Sequence, residues 1–307
     1  MNLYEELLEK YNVISIKPVT KGLSGDKKLR IDTACSGSLL LRISETEAYT
    51  RIKSEYDMLT RAAAISNNVP RPLGFGLCNN GKGIYQLMSW CDGEDAENLL
   101  PSMDTQQQYA VGEKAGQLLK QLHSIPAPEN QEPWGLRFRR KIQGRVDYYN
   151  SAPISSKGGD ILVKYLQNNQ ALLDNRPQTF NHGDYNISNL IISPSGGLSA
   201  IDFNYYNLGY GDPWWEFDAY IWGQEPSGYF SMGQINGYFA NNPPAYFFEM
   251  LAYYMAYGAL AALTLTDQGE EGTPEEGKTH MENVLKWFDN MSSTIPSWYL
   301  GGQYEHH

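Results

Sequence analysis

Residues 180–203 read Phe-Asn-His-Gly-Asp-Tyr-Asn-Ile-Ser-Asn-Leu-Ile-Ile-Ser-Pro-Ser-Gly-Gly-Leu-Ser-Ala-Ile-Asp-Phe, and no other stretch restricts the fold so tightly. Leu190-Ile191-Ile192 is an apolar run, residues 194–197 are dense in turn formers, and residues 198–203 are apolar again, the pattern of a short hairpin. With residues 194–197 as the loop, Asn189 faces Asp202. Facing side chains in such a pair lie roughly 5 Å apart, close enough to share one hard cation through oxygen ligands. Asp184 precedes Asn189 on a loop entered from strand-like residues 179–181. Phosphoryl transfer needs these parts: a carboxylate that accepts or orients a hydroxyl proton, and oxygen ligands for a magnesium ion beneath a triphosphate. Taken singly, Asp184 reads as a helix cap and Asp202 as a strand end; three such residues in a workable register favour the chemistry.

His182-Gly183-Asp184 followed by Asn189, then Ile201-Asp202-Phe203, resembles the catalytic and metal-binding motifs of the aminoglycoside phosphotransferase family. That family has a protein-kinase-like fold and includes antibiotic kinases beside choline and other small-molecule kinases. The resemblance implies Asp184 as catalytic base, Asn189 and Asp202 as Mg²⁺ ligands, and His182 as a scaffold residue hydrogen-bonding within its loop. It also implies ATP or GTP as co-substrate.

The 307 residues are enough for one large domain or two lobes. A net charge of −11 argues against nucleic acid or an anionic membrane as the main partner and suits a cationic small molecule as well as plain solubility. Cys35, Cys78 and Cys91 show no metal-ligand spacing and read as reduced thiols, which with the absence of a signal-peptide pattern at Met1-Asn2-Leu3 points to a cytoplasmic protein. No uninterrupted apolar run has the length of a membrane span. Glu305-His306-His307 resembles the start of a purification tag and is set aside.

Residues 1–91 read as a small mixed lobe. A helix over residues 3–11 leads into strands at 13–20, 29–34 and 39–43. A helix over 47–65 follows, then strands at 73–77 and 83–90 joined by an Asn-Gly turn. Gly22, Ser24 and Gly25 lie between the first two strands, where backbone N–H groups can cover nucleotide phosphates. The spacing matches neither a dinucleotide-binding nor a P-loop pattern. Arg42 ends a strand where a kinase-like fold carries its phosphate-binding lysine, a departure from the family rule, and the resemblance pairs it with Glu55 on the following helix. Met88 and Trp90 sit where the chain leaves this lobe, a place for reading or stacking a purine, with core packing as the plainer role of Trp90.

Residues 92–304 read as a larger helical lobe, with helices over 104–122, 161–173, 229–239, 245–265 and 274–291. The basic run 137–145 reads as a solvated face. Gly211-Asp212-Pro213 starts a helix with Asp212 as cap, and Asp212 and Glu216 read as structural support for the catalytic loop. Asp218 and Glu225 are candidates for contacting the ammonium groups of a substrate. The aromatic residues gathered after residue 204 read mostly as core. The fold expected is thus a two-lobed, protein-kinase-like α+β fold with nucleotide bound between lobes. The activity expected is transfer of a γ-phosphate to a hydroxyl of an aminoglycoside-like molecule, with a macrolide, choline or other metabolite as alternative acceptor. A catalytically silent nucleotide-binding module is the competing class, encouraged only by Arg42. A protein kinase is disfavoured because Asn204 follows Asp202-Phe203.

Overall fold

The computed structural model describes residues 5–21, 25–204, 209–221, 227–269 and 272–300. Contacts divide the chain into two compact units, Met1–Ala96 with Ser188–Gly209, and Glu97–Ile187 with Tyr210–His307. The first is built on α1 (Glu5–Lys10), β1 (Val13–Val19), β2 (Lys27–Thr33), β3 (Gly37–Ser44), α2 (Tyr49–Ala63), β4 (Pro72–Cys78) and β5 (Gly83–Ser89). The strands form one antiparallel sheet in the order β1-β2-β3-β5-β4. Alternation assigns its faces. Leu29 and Ile31 of β2, Leu39, Leu41 and Ile43 of β3 and Leu87 of β5 pack with Leu7 of α1 in one apolar cluster. The intervening positions Lys28, Arg42 and Gln86 form a polar row on the other face, Lys28 opposite Arg42 and Arg42 opposite Gln86. α2 is tied to that row, because Gln86 Nε2 donates to the Ile52 carbonyl at 3.0 Å.

The hairpin read from sequence is present, as β8 (Leu190–Ile192) and β9 (Leu198–Ala200), with β6 (Glu94–Asp95) pairing β8 from the other side. That pairing, and the Ala200 N–H donated to the Asn68 carbonyl at 2.9 Å, put the hairpin in the first unit although the chain reaches it from the second. A cut of the chain at 91/92 therefore separates segments that pack together.

The second unit contains most of α3 (Ala96–Leu99), then α4 (Thr105–Leu122), α5 (Trp134–Ser151), α6 (Lys157–Asn168), the strand pair β7 (Thr179–Phe180) and β10 (Tyr210–Gly211), α7 (Gly228–Phe239), α8 (Ala245–Gln268) and α9 (Pro274–Trp287). The basic run lies on α5. α4 starts at a capping box in which Asp104 accepts from the Gln107 N–H at 2.7 Å and Gln107 Oε1 from the Asp104 N–H at 3.0 Å. α4 and α7 meet backbone to backbone: a Cβ on Gly116 would lie 2.0 Å from the Gln234 carbonyl oxygen, and one on Gly233 2.2 Å from that of Tyr109. α8 is buried nearly all round, with Tyr253 and Tyr254 fully enclosed, so these aromatics are core as expected. By length and composition alone α8 is apolar enough to cross a membrane, although polar residues interrupt its apolar run, and most of it is buried within this unit.

Candidate active site

In the second unit, β7 delivers residues 181–184 into a buried polar network. The His182 and Gly183 N–H groups donate to the two carboxylate oxygens of Glu216 at 2.8 and 2.7 Å. His123 Nε2 lies 3.0 Å from the same carboxylate, and its Nδ1 lies 2.9 Å from the Tyr238 hydroxyl. A neutral ring satisfies both contacts when Nε2–H donates to Glu216 and Nδ1 accepts from Tyr238. Burial penalises charge on Glu216, yet the His123 contact, the neighbouring His182 and the Gly183 N–H hold its pKa below the ordinary carboxylate value. Burial likewise pushes the Tyr238 hydroxyl far above its usual pKa, so it keeps its proton.

Gly183 has φ 87°, a conformation that side chains disfavour, and so the chain bends sharply before Asp184. Past the bend, the Asp184 N–H donates to His182 Nδ1 at 3.3 Å, the within-loop role expected of His182, which is fully buried. Asn186 Nδ2 donates to Asp184 Oδ1 at 2.6 Å and orients that half-buried carboxylate. Asp212 caps the turn Pro213–Ile221 by accepting from the Trp214 N–H at 2.9 Å. The turn is 3-10 rather than α-helical. Asp212 is itself fully buried, bound in two places by Arg176 and by the Tyr254 hydroxyl at 2.6 Å.

In the first unit the charges centre on Arg42. Its Nε donates to Asp26 Oδ2 at 2.7 Å, its Nη2 lies 2.5 Å from the same oxygen, and its Nη1 lies 3.1 Å from Glu55 Oε2. Arg51, one turn before Glu55, holds the other Glu55 oxygen at 2.9 Å. Burial disfavours charge on Arg42, but Glu55 and Asp26 overcome it and raise its pKa. Against the cost of burial, Ser44 and Arg42 hold the Asp26 carboxyl below its usual value. For Glu55, burial dominates and pushes the carboxyl up despite Arg42 and Arg51. Asp202 stands at the edge of this cluster, its side chain 46% exposed, 3.9 Å from Arg42 Nη1 and 4.0 Å from Lys28 Nζ.

The hairpin register differs by one residue from the sequence reading. Leu190 pairs Ala200 and Ile192 pairs Leu198, and the Ile201 N–H donates to the Asn189 carbonyl at 2.9 Å. Asn189 therefore faces Ile201, not Asp202. The loop takes in Ser193 as well, because its N–H donates to the Gly197 carbonyl and its hydroxyl accepts from the Gly197 N–H, each at 2.9 Å. Asp202 follows at φ 61°, left-handed backbone that costs an L residue energy and turns the chain out of the ladder. Asn189 is buried at the end of the turn Ile187–Asn189.

Of the other residues singled out, Met88 is buried on β5 opposite Leu40, and Gly25 is exposed, with nothing within 4 Å of where a Cβ would stand. Trp90 is half-buried with the Arg30 guanidinium 4.9 Å from its ring centre. Gly22, Ser24 and Glu225 lie outside the described residues, as does the side chain of Asp218. Sequence reasoning missed Asp26, His123 and Asn186. Arg51 was within reach, since a basic residue four before Glu55 is a standard helical pairing.

A loop that locks a carboxylate by its backbone in one unit, and a sheet and helix joined by a buried Arg–Glu pair in the other, fit a small-molecule kinase of protein-kinase-like fold. The chain belongs to the phosphotransferase enzyme family, whose profile matches residues 15–248. Among solved structures it is similar to the GDP complex of aminoglycoside 2'-phosphotransferase-IIIa, at TM-score 0.65 and 12% identity over 92% of this chain and 96% of that one. The streptomycin–ATP ternary complex of APH(2")-IIa gives TM-score 0.61 at 14% identity, covering 88% and 91%. A Haemophilus somnus 129PT protein provisionally described as a fructosamine-3-kinase gives TM-score 0.61 at 16% identity, covering 91% and 95%. At these identities the likeness is one of fold. No curated protein matches the sequence.

Proposed function

We propose that this kinase moves the γ-phosphate of ATP or GTP to a hydroxyl of an aminoglycoside-like acceptor. The observation that carries the reading is the Asp184 carboxylate, oriented by Asn186 on a loop whose backbone Glu216 holds from behind. Asp184 accepts the hydroxyl proton as the acceptor oxygen attacks phosphorus, and Asn186 keeps its carboxylate aimed. Arg42 joins the sheet to the helix that follows through its pair with Glu55.

Among the described residues no group of three or more His, Cys, Asp or Glu could hold a metal by itself. A magnesium ion that arrives with a nucleotide needs only one or two protein oxygens beside phosphate and water. The exposed carboxylate of Asp202 and the amide of Asn189 have that chemistry. Mg²⁺ held there would neutralise charge on the phosphates. The net charge of −11 favours a polycationic acceptor over a neutral one, and the bound aminoglycoside of the streptomycin complex supports the same class.

Phosphate transfer from ATP and GTP to a panel of aminoglycosides, macrolides and choline tests this reading. An aminoglycoside is the expected acceptor, with Asp184→Ala slower by about 10²- to 10⁴-fold. A macrolide or choline as best acceptor would correct the substrate class. Wild type indistinguishable from Asp184→Ala across the panel would make the chain a silent nucleotide-binding module.

A further inference from the structure

We infer that Lys28, not Arg42, makes the direct cationic contact to the nucleotide phosphates, an inference that rests on the kinase reading above. The starting point is how little of Arg42 is left to give. All three of its guanidinium nitrogens lie within 3.1 Å of the Asp26 and Glu55 carboxylates. Arg51 balances the second carboxylate, so two guanidinium groups and two carboxylates close a neutral cluster. An incoming phosphate would have to displace a carboxylate from a buried guanidinium, and leaving a buried charge without its partner is costly.

Lys28 lies directly opposite Arg42 in the β2–β3 register, on the same face of the sheet. Among the described residues its nearest acceptors are the Lys21 carbonyl at 3.5 Å and Asp202 Oδ2 at 4.0 Å, both at or beyond the limit of a hydrogen bond. The other cations nearby are engaged more closely. Lys21 binds Asp95 at 2.7 Å and the Ser188 carbonyl at 2.8 Å, and Arg30 donates to Ser38 at 3.0 Å. The Lys28 ammonium, with three donors on a flexible stem, stands next to the Asp202 carboxylate proposed to hold magnesium. A triphosphate chelating that ion would come within its reach. The departure from the family's lysine at position 42 is thereby offset one strand away.

Equilibrium binding to the full-length protein, read by calorimetry in the presence of magnesium and without acceptor, tests this. The probes are ATP, GTP and their parent nucleosides, against wild type, Lys28→Met and Lys28→Arg. Loss of one charge-assisted hydrogen bond predicts that Lys28→Met binds the preferred triphosphate about ten- to a hundredfold more weakly, with nucleoside binding unchanged. Lys28→Arg, which keeps the charge, is expected to recover most of the affinity. Lys28→Met binding the triphosphate as wild type does would overturn the inference while leaving the kinase reading intact. Equal loss for triphosphate and nucleoside, or a matching fall in thermal stability, would also overturn it, as damage to the fold. Wild type that binds neither ATP nor GTP would sink the kinase reading itself and this inference with it.

Discussion

The Glu216 network of the second unit and the Arg42 cluster of the first are both built from buried charge, but they are built to different ends. Glu216 receives three donors on two oxygens and is 5% exposed, and its pKa is held down because those donors outweigh burial. In the Arg42 cluster burial outweighs the partners of Glu55 and pushes its carboxyl up, while Asp202 at the rim remains 46% exposed. A saturated network stabilises one backbone conformation. A rim with exposed carboxylate and loosely engaged ammonium has interactions left for a ligand. On the proposed reading, the first network holds a loop in place and the rim of the second is left for phosphate.

The hardest way to break the comparison is Glu216→Ala, which strands His123 and two backbone N–H groups. We expect a loss of about 3–5 kcal/mol in urea unfolding; a loss below about 1 kcal/mol would mean that the network does not hold the loop. Gly116→Ala probes the same unit without charge. Its methyl group would meet the Gln234 carbonyl at 2.0 Å, and we expect a loss of about 3 kcal/mol as α4 and α7 are forced apart.

Replacing each carboxylate by its amide sharpens the contrast. Folding lowers the pKa of Glu216, so its ionised form stabilises the fold at neutral pH, and that stabilisation disappears as pH falls through the folded value. Glu216→Gln should therefore cost about 1–3 kcal/mol at pH 7 and converge on wild type as pH falls through the folded value. Folding raises the pKa of Glu55, so its protonated form is favoured, with a contribution complete below the unfolded pKa and lost as pH rises through the folded one. Glu55→Gln, which mimics that protonated form, should therefore match wild type in acid and be as stable as wild type or slightly more stable at pH 7. Unfolding curves for both variants from pH 3 to 8 check the opposite signs, and parallel profiles would remove the distinction.

The smallest stability effect belongs to Asp202→Asn, within about 0.5 kcal/mol for a half-exposed group. Its turnover should nonetheless require at least about tenfold more magnesium, as the proposed ligand role demands.

How far these sites could be read from the chain depended on the range of the interactions. The strands of the first unit, the hairpin at residues 190–200, the Asp212 cap and the pairing of Arg42 with Glu55 were legible. Alternation, turn formers and helical spacing act over a few residues, and the family resemblance supplied the partner for Arg42. The register slipped by one because Ser193 joins its loop through a hydrogen bond that no propensity encodes. Asp26, His123 and Asn186 escaped because nothing in their local sequence marks them.

By itself, then, the sequence determined the elements and the acidic and amide side chains they carry, since each follows from neighbours along the chain. Only the tertiary structure decided that Glu216 would take two N–H groups from residues 182 and 183 and a third contact from His123, that Asp26 would complete the neutralisation of Arg42, and that Lys28 would stand opposite it with charge to spare. Those pairings join residues far apart along the chain. Such a charge finds its counterpart only when packing has excluded water and brought the strands and helices into register, and the energy of the contact does not exist before then.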